Sequence, residues 1–125
     1  MPPVPSDAEF RILLILWQNG PGTVREVHEQ LARGTRYTAT LKQMQVMHEK
    51  GFLDRNEDSR SHVYRAAMTK EEARARFAGD LMNRIFEGSA RSLVLGALTA
   101  NRASQEDIEE VRRMLDRLER KKNRQ

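Results

Sequence analysis

The fold is decided by the stretch TATLKQMQVMHEKGFLDR, residues 38–55, in which a helical repeat gives way to a strand-like one. Thr38 can cap a helix at its start, and Lys50-Gly51 has the composition of a helix end. The positions that recur every three or four residues, and so face inward, are Leu41, Met44, Met47 and His48. The stretch predicts an amphipathic helix followed at once by a β-strand.

The residues after this helix have the pattern of a β-hairpin. Short strand-like runs at residues 52–55 and 62–66 flank a polar segment at residues 56–61. Two such runs joined by a short polar connection favour antiparallel pairing. We therefore expect a hairpin directly after the third helix.

Two earlier helices each open with a capping box, a hydroxyl residue followed three positions later by glutamate. These boxes are Ser6-Asp7-Ala8-Glu9 and Thr23-Val24-Arg25-Glu26. The first helix should end at Asn19-Gly20-Pro21-Gly22, and the second, of about ten residues, at Arg33-Gly34. Three helices and a hairpin in this order predict a winged helix-turn-helix DNA-binding domain over residues 1–67, with the third helix in the major groove.

Residues 68–125 return to helical periodicity and predict a helical dimerisation domain, so the fold class is mainly α with a small β-hairpin wing. Helices should begin at Thr69 and at Ser104, and a third amphipathic helix should lie between them around residues 93–98. Their apolar stripes exceed what so short a chain can bury, which favours a second copy as partner. The residues predicted to form the dimer interface are Phe77, Leu81, Ile85, Leu93, Val94, Leu95, Leu98, Ile108, Val111, Leu115 and Leu118. The alternative is a helical bundle within one chain.

The length, charge and cysteine content of the chain exclude several classes of protein. The chain has 125 residues, a formal net charge of +4 and no cysteine, which excludes disulfides and thiolate metal sites and permits a nucleic-acid partner. No apolar run reaches the roughly 18 residues of a membrane span, and the first five residues lack the build of a signal peptide. We expect a cytoplasmic protein without a metal or cofactor.

The outer face of the third helix carries no acidic residue before Glu49. Gln43 can hydrogen-bond adenine, and Lys42 can bind a base edge or a phosphate. Arg36 and its neighbours precede the helix, where phosphate is commonly bound, and the wing supplies polar residues of its own. The predicted DNA-binding residues are Arg36, Tyr37, Thr38, Ala39, Thr40, Lys42, Gln43, Arg60, Ser61 and His62.

Five stretches in order resemble the BlaI/MecI/CopY family of bacterial repressors, also called the penicillinase repressor family. They are Ser6 to Glu9 with Leu16-Trp17, Tyr37 to Thr40, Glu49 to Leu53, Gly88 with Ser92 to Leu95, and Ser104 to Glu110. The resemblance implies a dimeric repressor with a winged N-terminal domain that binds palindromic operators of TACA/TGTA type. It also implies a membrane-bound sensor protease as partner, whose cleavage releases the repressor.

Two departures qualify this resemblance. Where β-lactam-responsive members carry an Asn-Phe scissile pair after Leu-Val-Leu, this chain has Gly96 and Ala97, which are therefore the candidate cleavage position. The cysteine motif of the copper-responsive members is absent.

The sequence also bears on three other classes of protein. An enzyme is disfavoured because His28, His48 and His62 lie in three separate predicted elements without a catalytic arrangement around them. A winged domain that binds protein would present large apolar or acidic groups on the third helix, whereas the outer face of this helix is polar to basic, which favours DNA. A repressor relieved by a small ligand stays open.

Overall fold

The computed structural model describes residues 3–31, 33–58, 60–100 and 102–124, which form six helices and three short strands. The elements are α1 (Asp7–Asn19), β1 (Gly22–Thr23), α2 (Val24–Gln30), α3 (Tyr37–Glu49), β2 (Leu53–Asn56), β3 (Val63–Ala66), α4 (Lys70–Ile85), α5 (Ala90–Ala100) and α6 (Gln105–Asn123). The predicted fold class, mainly α with a small β wing, is confirmed. Contacts divide the chain into two compact units, the first ending at Leu81 and the second beginning at Met82. The predicted division after residue 67 stays a prediction.

Both predicted capping boxes are present. At α1 the Glu9 amide donates to Ser6 Oγ (3.2 Å) and the Ser6 amide donates to Glu9 Oε1 (2.8 Å). At α2 the same two bonds join Thr23 and Glu26. α1 stops at Gly20, whose φ of 82° suits a residue without a side chain. α2 ends at Gln30 and has seven residues, so it is shorter than the sequence predicted.

The third helix begins two residues earlier than expected, and the predicted Thr38 cap is wrong. Arg36 is the N-cap residue, without a side-chain capping bond, and α3 starts at Tyr37. The amides of Ala39 and Thr40 both donate to the Arg36 carbonyl oxygen, so the first turn already includes Thr38.

The predicted hairpin is present as β2 and β3, which pair antiparallel from Leu53 opposite Ala66 to Asn56 opposite Val63. A third strand, β1, adds to the other side of β3 by pairing Gly22 with Tyr64. Two residues are too few to show an alternating pattern, which is why sequence reasoning did not find β1. The sheet order is β1-β3-β2.

One core holds the helices of the first unit against this sheet. Met44 and Met47 from α3 are fully buried, and so is Leu13 from α1. Trp17 Nε1 donates to the Met68 carbonyl oxygen (3.0 Å), which ties α1 to the segment after the wing. The hydrophobic core residues are Ile12, Leu13, Leu16, Val24, Val27, Met44, Met47, Phe52, Leu53, Tyr64, Met68 and Ala73. This packing leaves one side of α3 free to face outward.

The helices after the wing begin where the sequence predicted. Thr69 Oγ1 accepts the Glu72 amide (3.0 Å) at the start of α4, and Ser104 and Asp107 form a third capping box at α6. In the second unit the Phe86 ring lies against the backbone of Gly96. A Cβ added at Gly96 would be only 3.2 Å from that ring, so the contact as it stands suits a residue without a side chain. Among the described residues, no helix combines the length and the apolar character that crossing a membrane requires.

Candidate nucleic-acid interface

The two sides of α3 differ as a reading helix requires. Its inward side is anchored by Met44 and Met47, whereas Thr38, Ala39 and Lys42 are exposed and Gln43 is half-buried. The residues of this outer side are small, polar or cationic. A side chain such as that of Gln43 can form two hydrogen bonds with adenine, and methyl groups can pack on thymine.

Thr40 requires a correction. It is 1% exposed, and its hydroxyl lies 2.9 Å from His28 Nδ1 and donates to the Arg36 carbonyl oxygen at 3.5 Å. The hydroxyl is directed toward α2, because the helical position of Thr40 falls beside Met44 on the buried side. Thr40 is therefore a core residue that fixes the start of α3, and it is not part of the outer face.

Tyr37 forms a contact between α2 and α3. Its ring meets the His28 ring edge-on, with the centroids 5.6 Å apart. The guanidinium carbon of Arg25 lies 4.9 Å from the centre of the same Tyr37 ring. Tyr37 keeps 37% of its surface exposed, so the stacked pair remains open to solvent.

An open groove of about 470 Å³ separates this pair from the wing. We call it the wing groove; the side chains that line it include Arg25, Tyr37, Gln45, Arg60, Ser61 and His62. It brings together four of the predicted site residues, those at positions 37, 60, 61 and 62. Ala39 and Gln43 line a separate pocket of about 130 Å³ with Arg11, and Arg36, Thr38 and Lys42 line neither.

The acidic residues of the wing lie in a different depression. Asp54, Glu57 and Asp58 line that depression, together with Arg55 and Arg65. Arg55 Nε donates to Glu57 Oε1 (2.8 Å), and this bond holds the pKa of the Glu57 carboxyl below its ordinary value. Among the described residues, the acidic side chains of the wing thus lie away from the wing groove.

Comparison with known proteins settles the family. Residues 5–117 match the penicillinase repressor family. The chain belongs to this family. The methicillin resistance regulatory protein MecI of Staphylococcus aureus (strain N315) is 24% identical over 114 residues, covering 90% of this chain and 93% of MecI. The penicillinase repressor of Bacillus licheniformis is 26% identical over 113 residues, covering 89% of this chain and 88% of that protein.

The chain is thus a transcriptional repressor of the BlaI/MecI family, and the predicted resemblance is confirmed. The family consists of repressors that bind operator DNA rather than of enzymes. The outer face of α3 and the wing groove are the features of this repressor that suit such a partner.

The predicted site did not include Arg25 and Gln45, although both line the repressor's wing groove. Arg25 occupies the second position of α2, where the helix dipole disfavours a cation. A cation at a helix position that disfavours it was therefore a sign, visible in the sequence, that Arg25 could belong to the site. Gln45 gave no such signal, because an exposed glutamine within a helix is ordinary.

Proposed function

We propose that this repressor acts as a homodimer whose two α3 helices read the two halves of a palindromic operator. The observation that carries the proposal is the exposure of large apolar side chains along α4, α5 and α6. Ile85, Leu95 and Leu115 are 60%, 58% and 58% exposed. Exposed apolar surface on successive helices marks an interface more often than a free surface.

The predicted interface residues divide into two groups. Leu81, Ile85, Val94, Leu95, Leu98, Val111, Leu115 and Leu118 are exposed, and Met114, which the sequence analysis omitted, is exposed with them. Phe77, Leu93 and Ile108 are half-buried. Phe77 already packs edge-on against Phe10 at 5.1 Å, so part of its surface is used within the chain.

A second copy is the partner that fits both the apolar surface and the DNA. A two-fold dimer buries the same set of residues on each chain. It also places two reading helices about 34 Å apart, one turn of duplex, which matches two operator half-sites. Because the proposed partner is operator DNA, we place the repressor in the cytoplasm.

Within each half-site we assign base contacts to Lys42 and Gln43, with Ala39 and Thr38 against the bases beside them. Arg36 and the wing residues Arg60, Ser61 and His62 contact the backbone. The exposure of Lys42 and Arg36 supports these roles, as does the absence of acidic residues between Tyr37 and His48.

The oligomeric state and the operator can be tested together by analytical ultracentrifugation of the full chain. We expect a species of twice the 14.5 kDa chain mass, and one such dimer on a duplex with inverted TACA/TGTA half-sites. A duplex with one half-site removed should bind markedly more weakly. A monomer that binds both duplexes equally would contradict the proposal.

For release from DNA we propose cleavage of α5 by a membrane-bound sensor protease, with Gly96-Ala97 as the candidate position. Both residues lie inside α5, so a protease can reach the bond only after the helix opens locally. Glycine lowers helix propensity by about 1 kcal/mol relative to alanine, which favours that opening. Cleavage products from induced cells, sized by mass spectrometry, should end at Gly96. Intact chain after induction would contradict this step and favour relief by a small ligand.

A further inference from the structure

We propose that Arg25 clamps a backbone phosphate of the operator in the wing groove and that Tyr37 is the positioning residue that holds the Arg25 guanidinium there. This inference rests on the proposed DNA-binding function and adds a residue of α2 to it. The occupant is the phosphodiester backbone of the duplex, next to the bases that α3 reads.

The first support is the charge of the wing groove. Arg25, Arg60 and His62 line it from two sides, and none of the described residues that line it is acidic. The acidic residues Asp54, Glu57 and Asp58 line the depression on the other side of the wing. Among the described residues, the groove side of the wing therefore presents no carboxylate that would repel a phosphate, whereas the other side presents three.

The second support is the way in which Arg25 is held. Its guanidinium lies 4.9 Å from the Tyr37 ring centre, and the Tyr37 ring is packed edge-on against His28. His28 is in turn bonded to the buried Thr40 at 2.9 Å. Stacking of a planar guanidinium on a fixed ring reduces the freedom that the side chain loses when it binds phosphate.

The third support is that Arg25 occupies a position unfavourable for the fold. It lies in the first turn of α2, at the positive end of the helix dipole, where an acidic residue would stabilise the helix. In the structure its guanidinium lies over the face of the Tyr37 ring. A cation retained at a position that costs stability is expected where it binds an anionic ligand.

The experiment compares Arg25→Gln with Arg65→Gln by fluorescence anisotropy on a duplex with inverted TACA/TGTA half-sites and on a random duplex, across salt concentrations. Arg65 carries the same charge, is exposed and lines the acidic depression, so it is a matched control. Each phosphate contact contributes about 0.9 to the slope of log affinity against log salt. Loss of one contact in each half of a dimer should lower the slope by about 2.

We expect Arg25→Gln to weaken binding about tenfold or more on both duplexes, because a charge-assisted bond to the backbone carries no base information. Arg65→Gln should keep the wild-type slope. The melting temperature of Arg25→Gln should equal or exceed that of the wild type, which separates weaker binding from loss of fold. An unchanged slope for Arg25→Gln would overturn the inference. A wild-type chain that binds neither duplex would instead refute the proposed function.

The positioning role of Tyr37 is tested by a double-mutant cycle. Tyr37→Leu removes the ring on which the guanidinium stacks, so it should weaken binding and lower the salt slope as Arg25→Gln does. The double variant should then bind within about twofold of the weaker single variant. Fully additive losses would overturn the positioning role.

Discussion

Glu9 is a carboxylate buried at the start of α1, and it joins α1 to the end of α3. Its Oε1 accepts the Ser6 amide, and its Oε2 lies 3.0 Å from Lys50 Nζ at the end of α3. Burial acts to raise the pKa of Glu9, but the Ser6 amide and the Lys50 ammonium together lower it below its ordinary value. The folded state therefore favours the charged form.

Glu9→Gln should lower the free energy of unfolding by about 1–2 kcal/mol at neutral pH, because the amide keeps the shape but loses the charge-assisted bonds. The difference in unfolding free energy between wild type and variant should have its full size above a pH of about 4.3, the ordinary pKa of glutamate. It should shrink as the pH falls further, because Glu9 then becomes protonated. Urea unfolding at a series of pH values measures it. Glu26→Gln, in the exposed capping box of α2, is the matched control and should cost less. A difference for Glu9→Gln that does not change with pH would contradict this account.

Thr40→Val tests whether Thr40 acts through packing in the core or through contact with DNA. The substitution keeps the shape and removes the hydroxyl that bonds His28, so it should reduce the free energy of unfolding by about 1 kcal/mol. The ratio of operator to random-duplex affinity should stay at the wild-type value, because the side chain is buried. Unfolding and anisotropy titrations measure the two effects, and a collapse of that ratio would restore Thr40 to the reading face.

At the scale of elements, the helix starts could be predicted wherever the signal was local. Ser6, Thr23 and Ser104 cap helices through bonds to residues three positions away, and all three starts were found from sequence. The start of α3 was missed by two residues, because Tyr37 packs against His28 and Arg25, which lie in another helix. β1 depends in the same way on its pairing with β3.

The reading role of α3 is tested by exchanging one side chain. Gln43→Ala should relax base preference at one position of each half-site, costing about 1–3 kcal/mol on the preferred base, because the adenine loses its paired hydrogen bonds. Arg36→Ala should instead weaken binding to all sequences alike. Titrations of duplexes that vary one base at a time distinguish these outcomes. Equal losses on operator and random DNA for both variants would contradict the assignment.

The interface role of α6 is tested by Leu115→Ser. Leu115 is 58% exposed in the single chain, so a monomer should lose little stability, within about 0.5 kcal/mol. In the proposed dimer the same leucine is buried, and its loss should cost about 2 kcal/mol or more and shift the sedimenting species toward the monomer. Arg120→Ser, on the opposite polar face of α6, should leave the sedimentation unchanged. A Leu115→Ser chain that remains dimeric at low concentration would contradict the placement of the interface.

At the scale of the whole molecule, part of the candidate interface could be predicted because α3 and the wing follow one another in the sequence. That the two elements lie next to each other could therefore be predicted without knowing which residues far apart in the sequence are in contact. Arg25 could not be assigned in this way, since only the folded chain brings α2 beside the wing. The same limit explains the error at Thr40, whose burial is set by His28 of α2.

If a dimer of this repressor reads an operator through α3 and holds the backbone with cationic side chains, its affinity for DNA should depend on both base sequence and salt. The most direct measurement is the affinity of the wild-type chain for a duplex with inverted TACA/TGTA half-sites and for a scrambled duplex, each across a series of salt concentrations. We expect the chain to prefer the inverted repeat by about a thousandfold or more, with an affinity that falls steeply as salt rises. Equal affinity for both duplexes, or binding that salt does not change, would contradict it.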